Sequence, residues 1–187
     1  MGCKYTKTVN ASLKKKEASK KNSSLLKGEK PDLTNQQKAL VLNTWKLLVE
    51  NISRVGVITF MSLFETHPDV QEVFMPFRDL TREELSRSTE LRAHALRVMG
   101  FVQKIVARLD EPEKAEQLLG DLGKKHVMYG AKPDYVDLIG PQFVYAVKPS
   151  LEDHWTNEIE EAWLQLFRFI AYCMKESMTE CSRPAQQ

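Results

Sequence analysis

Four histidines are present, and two of them stand where an imidazole could bind a metal. His67 precedes Pro68 at a helix junction and His154 sits in an acidic helix start, positions that read as structural. His94 and His126 differ, because each falls on the apolar face of its own predicted helix. One histidine in such a place is ordinarily a core residue with its ring nitrogens satisfied. A pair on separate apolar helices opens a second reading: neutral imidazole is a common metal ligand, and haem iron takes axial ligands from opposite faces. A planar, apolar porphyrin between two helices needs apolar and aromatic walls. Phe60, Phe74, Phe77, Val98, Leu122, Val136 and Ile139 are candidates for them. No Cys-x-x-Cys-His run is present, so any haem would be held non-covalently. Spacing alone leaves both readings open.

Competing chemistry is absent from the pattern. There is no Walker loop, no Gly-x-Ser-x-Gly, no His-Glu-x-x-His and no zinc spacing of cysteine and histidine. Gly120-x-x-Gly123 is too weak a signal to use, and Glu83-Glu84 and Glu158-Glu160-Glu161 read as solvated helix faces. The other chemistry lies at the N-terminus. Met1-Gly2-Cys3-Lys4-Tyr5-Thr6 fits the pattern for myristoylation of Gly2, and Cys3 beside it is placed for reversible palmitoylation. Residues 1–30 hold nine lysines and two glutamates, a net +7, so the rest of the chain carries −5 within its overall +2. A single myristoyl chain binds a bilayer with K of only about 10⁴ M⁻¹, so anchoring needs a second signal. A second acyl chain on Cys3 or the lysines would supply it, each lysine near an anionic leaflet adding about 1 kcal/mol. A nuclear-localisation reading of Lys14-Lys15-Lys16 is weaker. The acidic body argues against nucleic acid as a partner.

The elements that must position these groups read as helices. The chain's 187 residues, 42% hydrophobic and 28% charged, suit one domain with a tail. No apolar run has the length of a transmembrane helix, and the start lacks the apolar stretch of a secretory signal. Residues 1–31 lack apolar periodicity and should be disordered, residues 32–178 form the domain, and 179–187 a flexible C-terminal tail. Thr34-x-x-Gln37 is a capping-box signature, followed by Leu40, Val41, Thr44, Trp45 and Leu48 at helical spacing. A break at Asn51–Ser53 leads to a helix with Val55, Thr59, Phe60 and Leu63 that stops before His67-Pro68. A short turn of helix follows, and residues 78–87 read as a charged surface connection. Leu91, His94, Ala95, Val98, Met99, Val102, Ile105 and Leu109 lie on one face of the next helix. Leu118, Leu119, Leu122, His126 and Tyr129 form another, ended by Gly130. Pro133 starts a helix that Pro141 should kink and Pro149 end, and the last helix runs from Trp155 to Met174. No segment alternates with period two, so the fold class is all-α. Three cysteines are too few for a disulfide scaffold, and Cys173 and Cys181 are expected as reduced thiols.

These residues resemble a globin over about Leu33 to Met178. The helix with Trp45, the next with Gly56 and Phe60, and the His67-Pro68 corner followed by Phe74 and Phe77 are similar to that family's first half. His94 with Val98 one turn on resembles the distal motif, and Leu122-Gly123-Lys124-Lys125-His126 the proximal one. The Met-Gly-Cys start resembles the membrane-bound globin X branch. The resemblance implies a globin fold and haem b. His126 would be the proximal iron ligand and His94 the distal one, binding iron directly. Phe74 would wedge the haem, with Val98, Phe60 and Leu122 lining the pocket. Gly56 would permit a close helix crossing, and Arg97 could reach a haem propionate. The implied partners are O₂, NO, CO and nitrite, an electron-donor reductase, and inner-leaflet anionic lipids at the cytoplasmic face of the cell membrane. The implied activities are O₂ binding, nitrite reduction, and NO or lipid-peroxide detoxification. Two other classes remain open: a conventional five-coordinate oxygen-storage globin, and a haem-free lipidated helical adaptor.

Overall fold

The computed structural model describes residues 29–181, and all regular structure in that span is helical. Gly2, Cys3 and most of the lysine-rich segment lie outside the described residues, as do residues 182–187. Helix α1 (Asn35–Leu48) opens on the expected capping box: Gln37 N–H donates to Thr34 Oγ1 at 3.2 Å and Thr34 N–H donates to Gln37 Oε1 at 2.9 Å. The break near Asn51 is only a 3₁₀ turn, Val49–Asn51, leading into α2 (Ile52–Thr66). The stretch Asn35–Thr66 thereby has the length and composition of a membrane span, although Lys46, Glu50 and Arg54 interrupt its apolar run. Its fully buried residues fall on one side, Val41, Thr44, Trp45 and Leu48 and then Val55, Thr59, Phe60 and Leu63, as in a core helix.

Pro68 opens the one-turn helix α3 (Pro68–Gln71). The segment 78–87 departs from the expected loop: Arg82–Arg87 is helix α4, capped by Thr81, whose Oγ1 accepts from Glu84 N–H at 3.3 Å. Thr81-x-x-Glu84 is the same signature as Thr34-x-x-Gln37, but only Leu85 is buried, so no apolar period marked it. Helix α5 (Thr89–Val106) is capped by Ser88, whose Oγ accepts from Leu91 N–H at 3.1 Å. Helix α6 (Pro112–Met128) ends in a Schellman motif at Gly130, whose φ is 76°. Gly130 N–H donates to Val127 O and Ala131 N–H to His126 O, each at 3.0 Å.

The expected single helix from Pro133 is two elements, a 3₁₀ segment Pro133–Leu138 and helix α7 (Ile139–Leu151). Pro141 therefore sits in the first turn of α7, where its N–H would have no intrahelical partner, and the predicted kink has no cause. Pro149 does not end the helix; it lies in the last turn, and α7 continues to Leu151. Helix α8 (Asn157–Cys181) starts after Trp155 and runs seven residues beyond the expected end at Met174. It carries both Cys173 and Cys181, whose eight-residue separation is about 12 Å of helical rise, too far for a disulfide.

Helix α8 packs on α6, α1 and α7, and α2 crosses α5 and α7. In the core between α1 and α8, Trp163 Nε1–H donates to Thr44 Oγ1 at 3.0 Å. Gly56 sits where α2 meets α5: a Cβ there would lie 2.9 Å from Met99 Cγ and 3.1 Å from Ala95 Cβ. Gly123 does the same for α6 and α8, with Met174 O 2.5 Å from the position of a Cβ. The two histidine-bearing helices thus rest on different partners, α5 on α2 and α6 on α8.

Candidate functional site

The turn structure of α6 fixes His126. Its Nδ1 donates to the carbonyl of Leu122, one turn earlier, at 2.9 Å. A carbonyl only accepts, so Nδ1 carries a proton, and in the neutral ring this tautomer puts the lone pair on Nε2. Such a bond through the other ring nitrogen also orients a ligating imidazole and raises its basicity.

His94 is held differently. Its ring meets Phe60 edge-on at 4.9 Å between centroids, Phe74 at 5.2 Å and Phe77 at 6.2 Å. Phe74 and Phe77 stack on each other at 5.2 Å with planes 19° apart. Phe60 and Phe77 are fully buried in the cluster formed with Leu63, Phe64, Val70, Leu85, Leu91 and Ala95, while Phe74 is half-buried at its edge. Burial in this aromatic surround drives the His94 pKa down to about 4, with help from the positive charge of Arg97 and from His126. His94 is therefore a neutral imidazole at physiological pH.

The remaining candidates also gather here. Val98 and Ile139 pack against both hydrophobic clusters, and Leu122 and Val136 against the larger one, all of them half-buried. Arg97 is exposed one turn from His94 and forms no ion pair with a carboxylate among the described residues. The structure thus brings His94, Phe60, Phe74 and Phe77 into one cage and sets His126 with Leu122 on a separate helix; Gly2 and Cys3 are outside it. One residue that the sequence did not single out is Gln71. Its side-chain amide donates to the carbonyls of Phe77, Arg78 and Leu80 at 3.0, 3.1 and 2.9 Å. A lone glutamine in a short helix carries no sequence signal of that role.

The donor set fits a haem iron. Two imidazoles on helices with different packing partners suit a metal that brings further ligands of its own. Among the described residues no three His, Cys, Asp or Glu side chains converge to hold a bare ion. The half-buried apolar side chains between the clusters suit a porphyrin face.

Comparison with known proteins agrees. The globin family model matches residues 58–174, from within α2 to near the end of α8. Cytoglobin-2 of Danio rerio is 27% identical, over 81% of this chain and 87% of the relative. The neuroglobin of Tetraodon nigroviridis is 29% identical, over 76% and 90% respectively. An anaerobic nitrite reductase of Gossypium hirsutum is 26% identical over 81% and 94%. In fold, the chain is similar to a hexacoordinated haem protein from an anhydrobiotic tardigrade, with a TM-score of 0.74 over 79% of this chain and 96% of the other at 22% identity. With an all-helical fold and a matching family model over more than half its length, the chain belongs to the globin family.

Proposed function

We propose that this globin binds haem b non-covalently with His126 as proximal and His94 as distal iron ligand, and serves as a lipid-anchored redox or gas-reacting protein on the cytoplasmic face of the cell membrane. When bound, the haem supplies a site for O₂, NO, CO or nitrite and a one-electron couple. The observation that carries the reading is the pair of imidazoles, one oriented through Nδ1 by the Leu122 carbonyl and one desolvated by three phenylalanines. The tardigrade structure and the cotton nitrite reductase support six-coordination and nitrite chemistry by likeness.

The residues act by holding and excluding. His126 presents a fixed lone pair. His94 competes with any external ligand, so observed affinity is the intrinsic affinity multiplied by the fraction of chains in which it has moved aside. Phe60, Phe74 and Phe77 keep water from its ring. Arg97 is free to pair with a propionate. Ligands that do not rearrange between oxidation states favour electron exchange with a reductase, which makes nitrite reduction or NO and lipid-peroxide removal the activities to test.

The test is the visible spectrum of the haem-loaded protein, reduced without added ligand. Sharp, split low-spin bands are expected, and a broad high-spin spectrum would instead support a conventional five-coordinate oxygen-binding globin. Failure to take up haem would leave the lipidated adaptor. His94→Leu is expected to speed CO binding to the ferrous protein by about tenfold or more; unchanged rates would refute ligation by His94.

A further inference from the structure

We propose that Gln71 is a positioning residue: it clamps the 72–80 segment and so presses Phe74 and Phe77 onto His94, setting how readily that imidazole swings away. The inference rests on the reading of His94 given above. Residues 72–80 contain no regular helix, only successive turns, with Phe74 N–H donating to Gln71 O and Phe77 N–H to Phe74 O, both at 3.0 Å. Gln71 Nε2 collects three carbonyls of these turns, Phe77 O, Arg78 O and Leu80 O, within 3.1 Å; Phe77 O also accepts from Leu80 N–H at 3.3 Å. An amide NH₂ has two hydrogens, so one of these bonds is shared.

Gln71 is itself well anchored. Its neighbour Val70 is buried at 2% exposure in the cluster that holds Phe77 and Ala95, beside His94. Asp69, at the other side of the same short helix, accepts from Tyr135 Oη at 2.9 Å. Helix α3 is thus fixed both to the core and to the 3₁₀ segment bearing Val136. From that fixed point the glutamine reaches across the loop. Two of the three rings around His94, Phe74 and Phe77, are carried on the segment it holds, and Phe60 is on α2.

The experiment compares Gln71→Met, of similar length but without donors, with Gln71→Lys, which keeps N–H donors at the end of a long stem. Hydrogen–deuterium exchange is followed in the full chain with and without haem, and carbon monoxide association in the ferrous protein. Gln71→Met should speed exchange across residues 72–80 and raise the carbon monoxide rate by about three- to tenfold, the change worth one net hydrogen bond. Gln71→Lys should restore both to within about twofold of the parent. In a His94→Leu background the Met substitution should leave the carbon monoxide rate unchanged. Unchanged exchange in 72–80 would remove the clamp. Faster exchange without a faster rate, or an equal gain in the His94→Leu background, would show that Gln71 does not act through His94. A high-spin parent spectrum would sink the six-coordinate reading separately, while the exchange data report on the clamp in either case.

Discussion

The cage around His94 keeps its ring neutral by making the charged form expensive. Its folded-state pKa lies near 4, against 6.5 for the ordinary side chain. The unfolded chain therefore takes up a proton as pH falls through 6.5, while the folded chain resists until about 4. Stability attributable to this group is full above pH 6.5 and is lost progressively down to about 4. The full shift corresponds to about 3 kcal/mol, of which about 2–3 kcal/mol is lost between pH 7 and pH 4.5. In the haem-free chain, urea denaturation at pH 7 and at pH 4.5 should show a loss that is smaller by about that amount in His94→Leu. Parallel losses in the two chains would mean that the ring is not desolvated. His126 works by a different route, since its environment acts on the tautomer: the Leu122 carbonyl selects the form whose lone pair is on Nε2. Both histidines could be read from the sequence because each sits on an apolar helical face. Gln71 could not, because its partners are backbone carbonyls six to nine residues away in a segment without periodicity.

At the scale of elements, the site depends on two close helix crossings. Gly123 is pressed against backbone: a Cβ would lie 2.5 Å from Met174 O, and neither helix can yield without moving as a body. Gly56 meets Met99 Cγ at 2.9 Å, on an adaptable side chain, and Ala95 Cβ and O at 3.1 and 3.3 Å, contacts that need the neighbour to give by only a few tenths of an ångström. Gly123→Ala is therefore expected to cost about 2–3 kcal/mol and Gly56→Ala about 1 kcal/mol, read as shifts in denaturation midpoint at constant m value. Equal costs would mean that α6 is free to slide on α8. Sequence periodicity located α1, α2, α5, α6 and α8 because each buries one stripe at helical spacing, with caps at Thr34 and Gly130 marking ends. It missed α4, which buries Leu85 alone, and misjudged Pro141, whose effect depends on whether the helix begins at Pro133 or at Ile139. The meeting of Gly123 with Met174 is a property of two helices distant in sequence, and no local pattern encodes it.

At the scale of the whole molecule, the charge distribution bears on the proposed anchor. Residues 1–30 carry +7 and the remainder −5, so an anionic leaflet attracts the first segment and repels the body. Lysines alone make an attachment that salt removes, because their attraction is screened within a Debye length of about 10 Å at 0.1 M. An acyl chain adds apolar transfer energy that salt does not screen. If Gly2 and Cys3 are both acylated, the chain should remain in the membrane fraction of expressing cells through a high-salt wash. Cys3→Ser should leave one chain plus the lysines, an attachment that survives low salt and is released at high salt. Gly2→Ala should remove the myristoyl group and, because a chain must first be held at a membrane to be palmitoylated, the second signal as well; this variant is expected in the soluble fraction. Its haem spectrum should match the parent's, since Gly2 is far in sequence from both histidines. A Gly2→Ala chain that fractionates like the parent would overturn the anchor without touching the haem site, and the lysines would then serve solubility alone.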